Sequence, residues 1–317
     1  IQRGAKNSQL YLSAGYFDQE GTIRNTNLKR YSANFNYNLN INSFIKLGAS
    51  LMPTFIDQTR ASTGTGRDLD PTGISLWANP VMKPFDEDGN LVPYILTPKN
   101  SYNSTWNFPN PLFMLDEAPR KYNEIRNLGS AFVEIEPIKG LQIRSSINTT
   151  FSVFKNSRYV PSTIGSPNNP PTNNKGTLNL SEGNSFDWVI TNTATYSKKL
   201  EKHSFKGLVG YITQKSRYNS INLNASPYSN DLIKTLNAAD GITSWGQTIN
   251  EWNMLSYLGR INYAFMDRYL LTATIRSDGS SRFGENKRYA MFPSVAAAWR
   301  VSDEDFIKDI QWIDQLK

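Results

Sequence analysis

Residues 255–277 read Leu-Ser-Tyr-Leu-Gly-Arg-Ile-Asn-Tyr-Ala-Phe, then Met-Asp-Arg, then Tyr-Leu-Leu-Thr-Ala-Thr-Ile-Arg-Ser. Leu255, Tyr257, Gly259, Ile261, Tyr263 and Phe265 alternate with Ser256, Leu258, Arg260, Asn262 and Ala264, the period of two that marks a strand with two unlike faces. Met266, Asp267 and Arg268 reverse the chain, and a second strand over 269–277 sets Leu271, Ala273 and Ile275 against Leu270, Thr272, Thr274 and Arg276. A polar loop over 278–288 leads to a third strand over 291–301. The order is short turn, then long loop.

The rest of the chain repeats that grammar. Tyr31, Ala33, Phe35, Tyr37, Leu39 and Ile41 alternate without fault against Ser32, Asn34, Asn36, Asn38, Asn40 and Asn42. A soluble sandwich would bury such an apolar row against a second sheet; a membrane barrel would turn it to lipid and the Asn row to water. Both remain open on the pattern alone. Further strands are predicted over 9–17, 45–55, 126–135, 141–154, 186–198 and 204–215, which makes ten. Connections at 18–29, 57–122, 155–185, 216–253 and 278–288 are long, and those at 42–44, 136–140, 199–203 and 266–268 are short. The 57–122 stretch is rich in proline and reads as a loop without structure of its own. Up-and-down strands place alternate connections at opposite ends, so every long one falls at one end, as in outer-membrane barrels. Greek-key sandwiches distribute theirs to both ends. Residues 302–317 space Phe306, Ile307, Ile310, Ile313 and Leu316 as a helical face.

Composition narrows the function. Hydrophobic residues are 38% of the 317, and no run of eighteen apolar residues occurs, so no transmembrane helix is predicted. Barrel strands escape that test because only alternate residues meet lipid. The net charge is +7, yet its 34 Lys and Arg are scattered along strands and loops, which argues against a nucleic-acid partner. Cysteine is absent, so there is neither a disulfide framework nor a thiolate site.

Nothing reads as a catalytic residue, a metal site or a cofactor site. The sole histidine, His203, falls in a short turn. Asp86-Glu-Asp-Gly-Asn90 lacks the spaced ligands of a calcium loop and reads as a β-turn. Gly64-Thr-Gly66 lacks the Gly-Lys-Ser/Thr of a phosphate loop. Loop carboxylates Asp68, Asp70, Asp86, Glu87, Asp88, Asp116, Glu117 and Asp240 leave a glycan-cleaving enzyme as one alternative, and a soluble glycan-binding sandwich is another. Aromatic residues make up 12%, and Trp77, Trp106, Trp245 and Trp252 in the long loops are candidate substrate contacts, since flat rings pack on the apolar faces of sugars. Such rings serve equally to pin loops or to anchor a membrane interface.

Tyr257-Leu-Gly-Arg-Ile-Asn-Tyr263, Asp267-Arg-Tyr-Leu-Leu-Thr-Ala-Thr-Ile-Arg276, Asp278-Gly-Ser-Ser-Arg-Phe-Gly284 and Phe292-Pro-Ser-Val295 with Trp299 and Arg300 resemble the barrel region of SusC/RagA-type TonB-dependent transporters of Bacteroidetes. Tyr11-Leu-Ser-Ala-Gly-Tyr-Phe-Asp-Gln-Glu-Gly21, followed by Lys29-Arg-Tyr-Ser32, is similar to an earlier barrel segment of that family. The resemblance implies an all-β, up-and-down transmembrane barrel segment, about ten strands of a 22-stranded barrel, with long extracellular loops and short periplasmic turns. It implies outer-membrane import of oligosaccharides or peptides, without enzyme chemistry or cofactors. The partners it implies are a SusD-like surface lipoprotein, TonB acting through a plug, and outer-membrane lipid. Residues 1–317 are then expected to be a partial barrel domain, with plug and C-terminal strands absent.

Overall fold

The computed structural model describes residues 2–61, 70–77, 83–96, 107–164, 175–307 and 315–317. Eleven strands form one antiparallel sheet in strict sequence order: β1 (Gln2–Ala5), β2 (Ser8–Glu20), β3 (Asn27–Asn40), β4 (Ile45–Arg60), β7 (Arg120–Ile138), β8 (Leu141–Val160), β9 (Thr177–Leu200), β10 (His203–Ala225), β11 (Ile242–Phe265), β12 (Tyr269–Ser280) and β13 (Tyr289–Trp299). Helix α1 (Pro71–Trp77), strands β5 (Tyr94–Leu96) and β6 (Asn107–Pro109), which pair with each other, and helix α2 (Pro111–Glu117) lie between β4 and β7. All ten expected strands are present, and the short β1 is an addition. The sequential order excludes Greek-key reordering.

The register explains what the apolar rows are for. Partners in a ladder share a face, and the pairings Leu12↔Phe35, Phe35↔Leu51, Leu51↔Gly129, Tyr211↔Tyr257, Gly259↔Ile275 and Ile275↔Pro293 carry one apolar face from strand to strand. Among the described residues no second sheet covers it: Tyr31 is 47% exposed, Val209 64% and Ile261 61%. The sandwich alternative required Tyr31, Phe35, Tyr37 and Leu39 to be buried, and Tyr31 is not. A continuous apolar face left open over ten strands is a lipid-facing wall. A shallow groove of about 550 Å³ between Leu141, Tyr196, Val209, Ile261 and Val295 lies on this outer side.

Aromatic rings mark both borders of the band. Near the short turns, Phe205 neighbours Tyr263 with ring centroids 4.8 Å apart, and Phe265, Tyr269 and Trp299 follow one another at 6.2 Å. His203 belongs here: it opens β10 rather than sitting in a turn, its Nδ1 is 2.8 Å from the Tyr263 hydroxyl, and its ring lies 4.9 Å from that of Phe265. Towards the long loops, Tyr16, Tyr31 and Phe55 make the matching row. Beyond that row the outer face becomes charged, with Lys155–Glu182 at 2.6 Å and Lys215–Glu251 at 2.7 Å.

Three expectations are corrected. The strands run on past the border, so β9, β10 and β11 reach 24, 23 and 24 residues, where about 10 suffice to cross a bilayer. The connections shrink accordingly, to 161–176 and 226–241. The 57–122 stretch is not structureless, because it holds α1, α2 and the β5–β6 pair. Instead of a helix from 302, the chain makes a single 3-10 turn at Val301–Asp303, while Ile310 and Ile313 lie outside the described residues. Glu304 is drawn back to the wall, accepting from Trp299 Nε1 (3.0 Å), Tyr269 Oη (2.8 Å) and the Arg268 guanidinium (2.9 Å). Those bonds, with the nearby guanidinium, hold its carboxyl below the usual glutamate range although desolvation opposes them.

Candidate functional site: the water-facing wall and its loops

The opposite face of the sheet is polar. Asn36, Asn38 and Asn40 of β3 pair with Ser50, Gly48 and Lys46 of β4, which pair in turn with Ser130, Phe132 and Glu134 of β7. Glu134 bridges Lys46 and Arg144, each at 3.1 Å, and the Arg144 guanidinium lies 3.8 Å above the Phe132 ring. That ring lies over Gly48, where an added Cβ would fall 2.1 Å from its Cε1. On β11 and β12, Arg276 grips Asp278 at 2.8 Å and reaches the buried Ser256 hydroxyl at 3.2 Å. The charges in these two clusters are paired, as suits a wall that meets water.

At the loop end the connections fold into a small core. Ile74, Met114, Ala118, Val160 and Ile164 are buried together, which seats α1 and α2 against the top of β8. Asn110 organises them: its Oδ1 accepts from Leu112 N at the start of α2, and its Nδ2 donates to the carbonyls of Pro84 and Val92. Pro111 follows at the first helical position, where a missing N–H costs nothing. Arg24 holds Asp116 with two bonds, at 3.0 and 2.9 Å, tying the β2–β3 connection to α2. A second cluster packs Tyr159 edge-on to Tyr228, with Leu178 and Ala225. There Asp231 accepts from the Tyr159 hydroxyl and from the Ser162 N–H and hydroxyl. Burial would raise the Asp231 carboxyl, but those bonds and the Lys234 charge hold it below its ordinary range.

The two candidate tryptophans whose side chains are described do not converge. Trp106 lies outside the described residues, and Trp77 ends α1. Trp245 and Trp252 are on β11 rather than in a loop, an odd number of residues apart, and so on opposite faces. Trp245 pairs with Leu223 on the outer side and is 78% exposed. Trp252 pairs with Ser216 on the water-facing side, with the Arg282 guanidinium 4.7 Å from its ring. Asp116 is held by Arg24, the Asp70 side chain accepts from Thr72 N, and Asp86 closes the expected turn by accepting from Asn90 N. Asp68 lies outside the described residues. Sequence reasoning passed over Asn110 and Asp231, for which Asn-Pro before an apolar run was the available signal in the first case and none existed in the second.

No family model matches the chain. Along its whole length it is 27% identical to a TonB-dependent receptor of Formosa agariphila, of which it covers 31%, and to the TonB-dependent receptor SusC of Bacteroides thetaiotaomicron, of which it covers 32%. In structure, 97% of the chain superposes on the RagAB peptide transporter with a TM-score of 0.81 and 26% identity, covering 34% of that chain. The chain thus spans about a third of the length of the relatives it matches. These relatives are receptors and transporters. Sequence along the full chain and fold together make it similar to part of the β-barrel region of SusC/RagA-type TonB-dependent transporters.

Proposed function

We propose that this chain supplies a section of the wall and part of the external mouth of an outer-membrane importer of oligosaccharides or peptides. A SusD-like surface lipoprotein closes over the long loops, and TonB drives the cycle through a plug held inside the complete barrel. The chain itself performs no bond chemistry and needs no cofactor. Strands β1 and β13 do not pair with each other, and an open wall of this kind closes by pairing with further strands of a larger barrel. The observation that carries the reading is the unbroken apolar outer face, kept in register from β2 to β13, with every long connection at one end.

The test is uptake. The complete transporter, produced with its surface lipoprotein in the outer membrane, is expected to accumulate labelled oligosaccharides or peptides only while TonB is present. Uptake that continues after TonB is deleted, or recovery of the folded protein from the aqueous fraction, would contradict the proposal.

A further inference from the structure

The water-facing side above the lipid band carries two rows that the register brings together. Arg60, Arg120 and Arg158 stand directly opposite one another on β4, β7 and β8. Like charges set across a ladder oppose folding unless something offsets them. Among the described residues no ion pair joins a carboxylate to Arg60 or Arg120. The second row descends one pairing step from each ring to the next. Tyr122 on β7, Phe154 on β8 and Tyr218 on β10 have neighbouring centroids 6.4 Å apart and planes within 20° and 12° of each other. Their faces are turned the same way, and each ring is half-buried.

Gly183 on β9, paired with Phe154, makes this possible. A Cβ there would fall 2.8 Å from Phe154 Cε1 and 2.7 Å from the Asn219 carbonyl, so the ring lies across the gap that the glycine leaves. Trp252, one strand beyond Tyr218 and one step lower, continues the line. Guanidinium groups cap both ends: Arg60 lies 3.7 Å above Tyr122, and Arg282 lies 4.7 Å above Trp252. Between the rings and the arginine row is a cavity of about 240 Å³ lined by Arg120, Asn156, Arg158, Asn179, Ser181 and Asn222. The Asn156 Oδ1 in it is buried and has no partner.

Resting on the import reading above, we propose that this stripe is a binding track for an acidic oligosaccharide. Sugar rings lay their C–H faces on Phe154 and Tyr218, asparagines and Ser181 exchange bonds with hydroxyls, and Arg60 and Arg120 take carboxylate or sulfate groups, while the buried Arg158 donates to the Ala118 carbonyl. A peptide fits less well. The strands here are paired on both sides and offer no free edge, and the rings form an open surface rather than side-chain pockets.

The experiment is calorimetric titration of the complete detergent-solubilised transporter with hexagalacturonate, a sulfated carrageenan hexasaccharide, maltohexaose and hexaglutamate. At least one anionic sugar is expected to bind about tenfold more tightly than maltohexaose and hexaglutamate. Tyr218→Ala is expected to weaken that binding about tenfold, and Arg120→Gln to bring the anionic sugar down to the level of maltohexaose. Heat-modifiable gel migration confirms that each variant is a folded barrel, and Phe154→Leu, which removes the aromatic face but keeps a large apolar side chain, serves where alanine fails to fold. Hexaglutamate bound as tightly as the sugars, or binding indifferent to Tyr218 and Arg120, overturns the inference. Wild-type protein that binds none of the probes yet sustains TonB-dependent uptake overturns the inference alone; loss of TonB dependence overturns the import reading with it.

Discussion

Gly183 has a small side to fill and a large consequence if it is filled. Gly183→Val would press on a Phe154 ring and on a backbone carbonyl that cannot move aside. Overpacking of this kind costs about 1–3 kcal/mol, so urea unfolding of the complete barrel should show a lower midpoint, and an unchanged midpoint would contradict the geometry. Asp231 gives a pH signature. Its carboxyl is lowered in the folded state, so its stabilisation is complete above the unfolded value, about 3.9, and is lost as pH falls through the folded one. Exchange protection of the Ser162 amide, corrected for intrinsic rate, should therefore fall on acidification in the wild type and stay flat in Asp231→Asn. At this level little of the site was legible. Tyr122, Phe154 and Tyr218 sit one to a strand, far apart in sequence, and only the register joins them. Of the two candidate tryptophans on β11, Trp252 shares their face and Trp245 does not, and a tryptophan in a polar stretch carries no sign of the side on which it lies.

Strands announce themselves where their two faces differ. Through the lipid band they do, and β3 and β11 were readable residue by residue. Past the border both faces meet water, the contrast in period disappears, and the extensions of β10 and β11 read as loop although they are fully paired. Helix α2, with seven residues, is too short to show a helical period, and its Asn-Pro start is the only mark it leaves. The same contrast predicts substitution costs on one strand. Ile261→Arg puts a cation on the lipid side and should destabilise the barrel in liposomes by about 2–4 kcal/mol, whereas Asn262→Arg on the water side should cost well under 1. Equal costs at the two neighbours would mean that the face assignment is wrong. Asn110→Ala removes the α2 cap and two bonds from a fully buried amide, for an expected loss of about 1–2 kcal/mol in the loop core. Proteolysis rates between α1 and α2 report it: faster cleavage with an intact barrel is expected, and unchanged cleavage would contradict the role.

Taken whole, the chain is a curtain of antiparallel strands whose two sides meet different solvents, with loops gathered at one end. Its stability therefore belongs to the membrane and to the neighbouring strands as much as to its own contacts. The alternation of long and short connections disclosed this architecture in the sequence, while the height of the wall above the bilayer did not. The absence of cysteine from these 317 residues allows a direct test, once any cysteine elsewhere in the complete transporter is replaced by serine. Single cysteines placed along β11 in the complete transporter are exposed to a membrane-impermeant thiol reagent on intact vesicles and on solubilised protein. Positions 259, 261 and 263 should stay unreactive in the bilayer while 260 and 262 label through the aqueous interior. Positions 245 and 249, on the same face as 261, should label because they stand above the lipid. Reactivity at 259 and 261 equal to that at 260 and 262 would contradict a lipid-facing wall.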